Sequence, residues 1–155
     1  FVPFVCQGGK IGEGTRMTEI RYAERKDEAL WRKLDRFLPE GGFAEKVRTR
    51  TAYVLCADGV LAGILRYHLF WDEIPFCSLL FVREECRGRG YGKALLGRWE
   101  EDMRARGYDM LLTSSRADES AQHFFRKAGY GDCGGLLFDA SSRAQPTELF
   151  FRKRL

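Results

Sequence analysis

The spacing of hydrophobic and polar positions changes period repeatedly along this chain. Residues 18–24, TEIRYAE, alternate as a half-buried strand does. Leu30, Trp31, Leu34 and Leu38 then recur at helical intervals, and Pro39 predicts the stop. Residues 41–50 are polar apart from Phe43 and Val47, a spacing that predicts a short second helix. Two apolar, β-rich runs follow on either side of Asp58-Gly59, which predicts a hairpin. Residues 75–82, PFCSLLFV, read as a further strand, continuously apolar toward its end as a buried strand is.

Beyond a glycine-rich stretch, Leu95, Leu96, Trp99 and Met103 make one apolar stripe. They predict a helix from about Gly90 to Arg106, with Gly107 as its C-terminal stop. Residues 109–115 read as a strand. A helix follows that puts Ala121, Phe124, Phe125 and Ala128 on one face and closes at Gly129. Residues 131–138 and 147–154 finish as two strands around the loop DASSRAQP. The order is β-α-α-β-β-β-α-β-α-β-β, one mixed α/β domain over 17–155. Residues 1–16 show no periodicity, whereas the residues after Met17 do at once. That contrast marks 1–16 as a leader or an expression-derived extension.

Composition narrows the class. The chain has 155 residues, enough for one domain with a sizeable core; 45% are hydrophobic and 31% charged, the balance of a globular protein. The net charge of +4 is spread over many Lys and Arg, with short knots at 87–93 and 152–154. A nucleic-acid footprint is denser, so no nucleic-acid partner is expected and a basic nucleic-acid-associated protein is the weaker alternative. Five cysteines, an odd number without a C-x-x-C pair, fit a reducing cytoplasm better than a disulfide framework. No apolar stretch approaches the roughly 20 residues of a membrane span, so no membrane partner is expected. His68 and His123 are the only histidines, and neither has Cys or acids at zinc-ligand spacing, so no metal is expected. G-x-S-x-G does not occur, which leaves a serine hydrolase without its nucleophile turn.

The chemistry concentrates in CRGRGYGKALL, residues 86–96. Arg87, Arg89 and Lys93 put cations at a helix start, where the backbone is already partly positive. Such a cluster calls for an anion. A Walker A loop needs a Ser or Thr after Gly92-Lys93, but Ala94 stands there and Arg87 occupies the place of the first glycine. A dinucleotide fingerprint is met by Gly88 and Gly90 but fails at Lys93. The spacing [RQ]-x-x-G-x-[GA] between a strand and a helix is met by Arg87, Gly90 and Gly92. Successive amides there form an anion cradle that small residues let a pyrophosphate approach.

On these residues the chain resembles the GCN5-related N-acetyltransferase (GNAT) superfamily. LFVREECRGRGYGKALL resembles its coenzyme-A motif and ADESAQHFFRKAGY its second motif, at the right separation and in the same order of elements. The resemblance implies an acyl-CoA N-acyltransferase fold with a central mixed sheet of about seven strands flanked by helices. It implies acetyl transfer from acetyl-CoA to a small-molecule or peptide amine in a ternary complex. It further implies that the amides of Arg87, Gly88, Arg89, Gly90, Tyr91, Gly92 and Lys93 hold the pyrophosphate. Leu80 and Val82 would pair with the pantetheine, and Phe81 or Val82 would face the acetyl oxygen. Asp118 stands where the family often has Asn, and Phe125 where it often has the Tyr that protonates the thiolate. A monomer or a homodimer through the C-terminal strands is the implied assembly.

The acceptor side is less well marked. The family's Glu on the central strand falls at Phe76, which cannot take a proton. Glu73 is the candidate base or amine anchor, with Asp72 and His68 behind it. YHLFWDE, residues 67–73, combines aromatic rings with acids as an amine pocket does. The missing Tyr and Glu keep a coenzyme-A-binding regulatory module without turnover as the other reading.

Overall fold

The computed structural model describes residues 17–140 and 142–155; the leader expected over 1–16 lies outside them. Its strands are β1 (Thr18–Tyr22), β2 (Ala52–Ala57), β3 (Val60–Phe70), β4 (Ile74–Val82), β5 (Met110–Arg116), β6 (Gly131–Phe138) and β7 (Gln145–Arg154). The helices are α1 (Glu28–Leu34), α2 (Gly42–Thr49), α3 (Tyr91–Ala105) and α4 (Ala121–Lys127). The seven strands form one mixed sheet in the order β1-β2-β3-β4-β5-β7-β6. The β4–β5 pairing is parallel and short, with Phe76 opposite Leu112 and Cys77 opposite Thr113. By contact the chain divides into two compact units, one ending at Arg66 and resuming over Leu79–Arg98, the other made of Tyr67–Ser78 and Trp99–Leu155.

In the first unit, β2 and β3 meet in the expected hairpin. Asp58 and Gly59 both take left-handed φ, 50° and 77°, the combination a tight two-residue turn between twisted strands requires. Trp31, Phe43, Ala52, Val54, Cys56, Leu61 and Ile64 fill the core beneath. α1 stops at Leu34, earlier than the Pro39 expected from sequence. The cause is the buried carboxylate of Asp35. It accepts from the Trp31 indole at 3.2 Å, the Phe37 amide at 3.1 Å and the Arg66 guanidinium at 2.7 Å. These partners hold Asp35 in extended backbone, and the helix cannot continue through it.

In the second unit, the two glycines read as stops close their helices in the same way. Gly107 and Gly129 have φ of 87° and 90°. Behind them Tyr108 donates to the Met103 carbonyl at 3.1 Å and Tyr130 to the Phe125 carbonyl at 3.0 Å. These bonds use up carbonyls that a helix end leaves without partners. Glu100, buried on α3, accepts from the Tyr130 hydroxyl at 3.0 Å and from the Lys153 ammonium at 2.7 Å. Burial, and then the Glu100 charge, push the Tyr130 hydroxyl well above its ordinary pKa. β7 begins at Gln145, two residues ahead of the expected start, because Phe138 pairs with Gln145 across the hairpin. β6 is exposed at every position and forms an edge of the sheet.

Candidate functional site

Chain direction and glycine content shape the loop between β4 and α3. A single turn of 3-10 helix over Glu84–Cys86 follows the strand, and it takes up the Arg87 amide, which donates to the Glu84 carbonyl at 3.2 Å. That amide is therefore not available to the cradle expected from sequence. Gly88 and Gly90 follow with left-handed φ of 73° and 80°, alternating with Arg89. Alternation of this kind turns successive N–H groups to one side of the backbone. The first backbone bond of the helix is Ala94 to the Gly90 carbonyl, at 2.9 Å. Among the described residues, no hydrogen bond engages the amides from Gly88 to Lys93. A Cβ built on Gly88 or Gly90 meets nothing within 4 Å, so open space lies over both. Arg89 and Lys93 are exposed beside it. This is a concave set of donors at the positive end of a fifteen-residue helix, and it fits a pyrophosphate.

The loop is anchored at its strand end. Leu79 to Val82 are apolar yet only half-buried, unlike Pro75 to Cys77 behind them. The Arg87 guanidinium folds back to donate to the Val82 carbonyl at 3.0 Å and lies 5.6 Å from the Phe81 ring centre. Arg83 bonds the Ala62 carbonyl through its amide at 2.9 Å. Gly63, on β3, faces the Leu95 side chain of α3 so closely that a Cβ would stand 2.9 Å from it and 3.2 Å from the Phe81 carbonyl. The helix and the strand end thus meet over a residue with no side chain. An isolated glycine in an apolar strand marks such an approach, and this signal was open to sequence reading but not taken.

A family model described as the acetyltransferase (GNAT) family matches residues 16–130. The chain belongs to that family. No curated protein matches the sequence. Among similar solved structures is Ard1 from Thermoplasma volcanium, 17% identical with a TM-score of 0.78, the match covering 89% of this chain and 97% of that one. The ribosomal-protein-alanine N-acetyltransferase from Brucella melitensis is 20% identical with a TM-score of 0.74, covering 88% and 99%. The N-acetylglutamate synthase from Neisseria gonorrhoeae, complexed with coenzyme A and N-acetylglutamate, is 18% identical with a TM-score of 0.73, covering 92% of this chain and 36% of that one. At these identities the likeness establishes the GNAT fold, which is the fold expected from sequence.

The departures from the GNAT pattern each have a structural setting. Asp118, exposed, is clamped by the Arg116 guanidinium through bonds of 3.0 and 2.6 Å. That hydrogen bonding holds its carboxyl below the usual range. Phe125 is 5% exposed, with the rings of Phe124, Tyr130 and Phe151 at 5.3, 5.7 and 6.1 Å. Phe76 is buried against His68 and Phe150, at 5.1 and 5.9 Å between ring centres. Glu73 is exposed and closes the turn between β3 and β4, its amide donating to the Phe70 carbonyl at 3.2 Å. It stands just before β4, whose nine residues span about 30 Å at ~3.3 Å each. Of the two roles considered for Glu73, strand length therefore favours holding a remote part of the acceptor over taking a proton opposite Phe81–Val82. Among the described residues no group of His, Cys, Asp or Glu gathers as a metal site does, and no helix is long and apolar enough to cross a membrane.

Proposed function

We propose that this chain, over residues 17–155, transfers an acetyl group from acetyl-CoA to a primary amine by direct attack in a ternary complex. The observation that carries the reading is the run of unengaged amides from Gly88 to Lys93 under open space at the start of α3. Those amides, with Arg89 and Lys93, would hold the pyrophosphate. The backbone of Leu80 and Val82 would pair with the pantetheine, and the Phe81 or Val82 amide would donate to the acetyl oxygen as negative charge develops there. When bound, the coenzyme supplies an activated thioester. The amine nitrogen forms the new bond to the acetyl carbon, the carbon–sulfur bond breaks, and the proton released by the amine balances the departing thiolate.

Phe125 cannot donate a proton, and this does not preclude turnover. A thiol of pKa roughly 8.5 lies about 1.5 units above neutral pH, so a side-chain acid gains at most about 2 kcal/mol. Positioning of the two reactants and the amide at the acetyl oxygen contribute more. The phenylalanines at 76 and 125 favour one other reading, a coenzyme-A-binding module without turnover. Calorimetry with acetyl-CoA, followed by release of coenzyme-A thiol over a panel of amines, separates them. Binding with release for at least one amine is expected; tight binding with no release over the whole panel hands the case to the module.

A further inference from the structure

The turn between β3 and β4 is built in an unusual way. Its central residues, Trp71 and Asp72, both have left-handed φ, 53° and 60°. Glycine and asparagine adopt such a turn without strain, whereas a bulky aromatic residue does so at a cost. The Trp71 ring is then left 77% exposed, while Trp31 and Trp99 are fully buried. It rests on Phe70, 4.7 Å between ring centres, and Phe70 in turn lies 6.1 Å from Phe76. Beside it stand Asp72 and Glu73, both exposed and neither in an ion pair with a described residue. The sequence between Arg66 and Arg83 contains no Lys or Arg, although the chain as a whole carries a net charge of +4. An open indole face flanked by two free carboxylates complements an organic cation, which the ring attracts through its π-face and the acids through their charge.

We infer that this turn is a docking surface for a basic side chain of a peptide acceptor, an inference that rests on the acetyl-transfer reading. The length of β4 selects a peptide over a small oligoamine. The turn stands at one end of the strand and Val82 at the other, about 30 Å away along the chain. An extended peptide covers that distance in about eight or nine residues, whereas a short oligoamine does not reach. The acceptor is therefore a polypeptide with Lys or Arg about eight or nine residues from its reacting amine.

Trp71 reports directly on the docking because it is the one exposed indole among the described residues. The full chain, saturated with coenzyme A, is titrated with a peptide carrying a free amino terminus and two lysines about eight residues on. Shielding of tryptophan fluorescence from iodide is followed. The basic peptide is expected to shield Trp71, and the same peptide with glutamines in place of the lysines is not. The double substitution Asp72→Asn with Glu73→Gln is expected to weaken shielding by about tenfold, and added salt to weaken it further. Trp71→Asn, which suits the left-handed backbone and so keeps the turn, is expected to remove the exposed signal with no loss of melting temperature. Equal shielding by the glutamine peptide, or by a triamine, overturns the inference, as does shielding unchanged by the double substitution. Release of coenzyme-A thiol from acetyl-CoA with the same peptides is read separately: its absence alongside intact docking counts against acetyl transfer and not against the surface.

Discussion

Gly90 and Gly129 share a backbone conformation, with φ of 80° and 90°, and serve opposite purposes. Gly129 follows the end of a helix, where its bend lets the next amides return to carbonyls at 3.0 Å and close the structure on itself. Around it lie Phe125, Tyr130, Glu100 and Lys153, and the polar atoms of this cluster find partners within the chain. Gly90 precedes the start of a helix, where the same bend turns amides outward and nothing in the chain answers them. The comparison teaches that a glycine's φ does not announce its role. What decides it is whether the polar groups it redirects are donors left open or carbonyls consumed.

If the Gly129 region is closed structure, truncating its central ring has the largest consequence. Phe125→Ala is expected to cost about 3–5 kcal/mol of stability in chemical denaturation, because three neighbouring rings lose their partner. A loss below about 1 kcal/mol breaks the contrast by showing that the region is loosely packed.

On the open side, Gly90→Asp sets a carboxylate against the anion the amides await and forces a side chain into a left-handed backbone. Acetyl-CoA affinity measured by calorimetry is expected to fall by at least about a hundredfold, equivalent to about 2.7 kcal/mol. Because the space over Gly90 is open, the melting temperature is expected to move little. Unchanged affinity in a folded variant removes the loop from the coenzyme site.

A smaller effect sharpens the closed side. Tyr130→Phe leaves the buried Glu100 with one donor fewer and is expected to cost about 1.5–2 kcal/mol at neutral pH. The hydroxyl's pKa is raised in the folded chain, so its contribution is complete below the ordinary value near 10 and is lost as pH rises further. Stability measured against pH should therefore lose part of its alkaline decline in the variant. A decline of the same steepness assigns it to other groups.

Elements whose cause is local were legible in the sequence, and those whose cause is remote were not. Asp58-Gly59, the stripe Leu95-Leu96-Trp99-Met103 and the glycine spacing at 88–92 each specify structure within a few residues, and each was read. The stop of α1 was misjudged because it depends on Arg66, 31 residues from Asp35. Glu100 and Lys153 lie 53 residues apart, and nothing in either neighbourhood marks the pair. The Trp71-Asp72 turn lacks the glycine or asparagine by which such turns are known, so only the backbone reveals it. In the candidate site, the cradle was legible as a motif. That Arg87 spends its amide on a turn and its side chain on Val82 was not, because both partners are fixed by tertiary geometry.

The two-rung parallel pairing of Phe76 and Cys77 with Leu112 and Thr113 bears on how the chain reaches its fold. The hairpins β2–β3 and β6–β7 close over short stretches and can form within microseconds of collapse. The parallel rungs join residues 36 positions apart and can form only after α3 has crossed between them. They belong to the late side of the folding barrier, held then by the Thr113 hydroxyl donating to the Cys77 carbonyl at 3.0 Å. Thr113→Val should accordingly speed unfolding in stopped-flow experiments while leaving the refolding rate nearly unchanged, and a slowed refolding arm would move this junction into the nucleus.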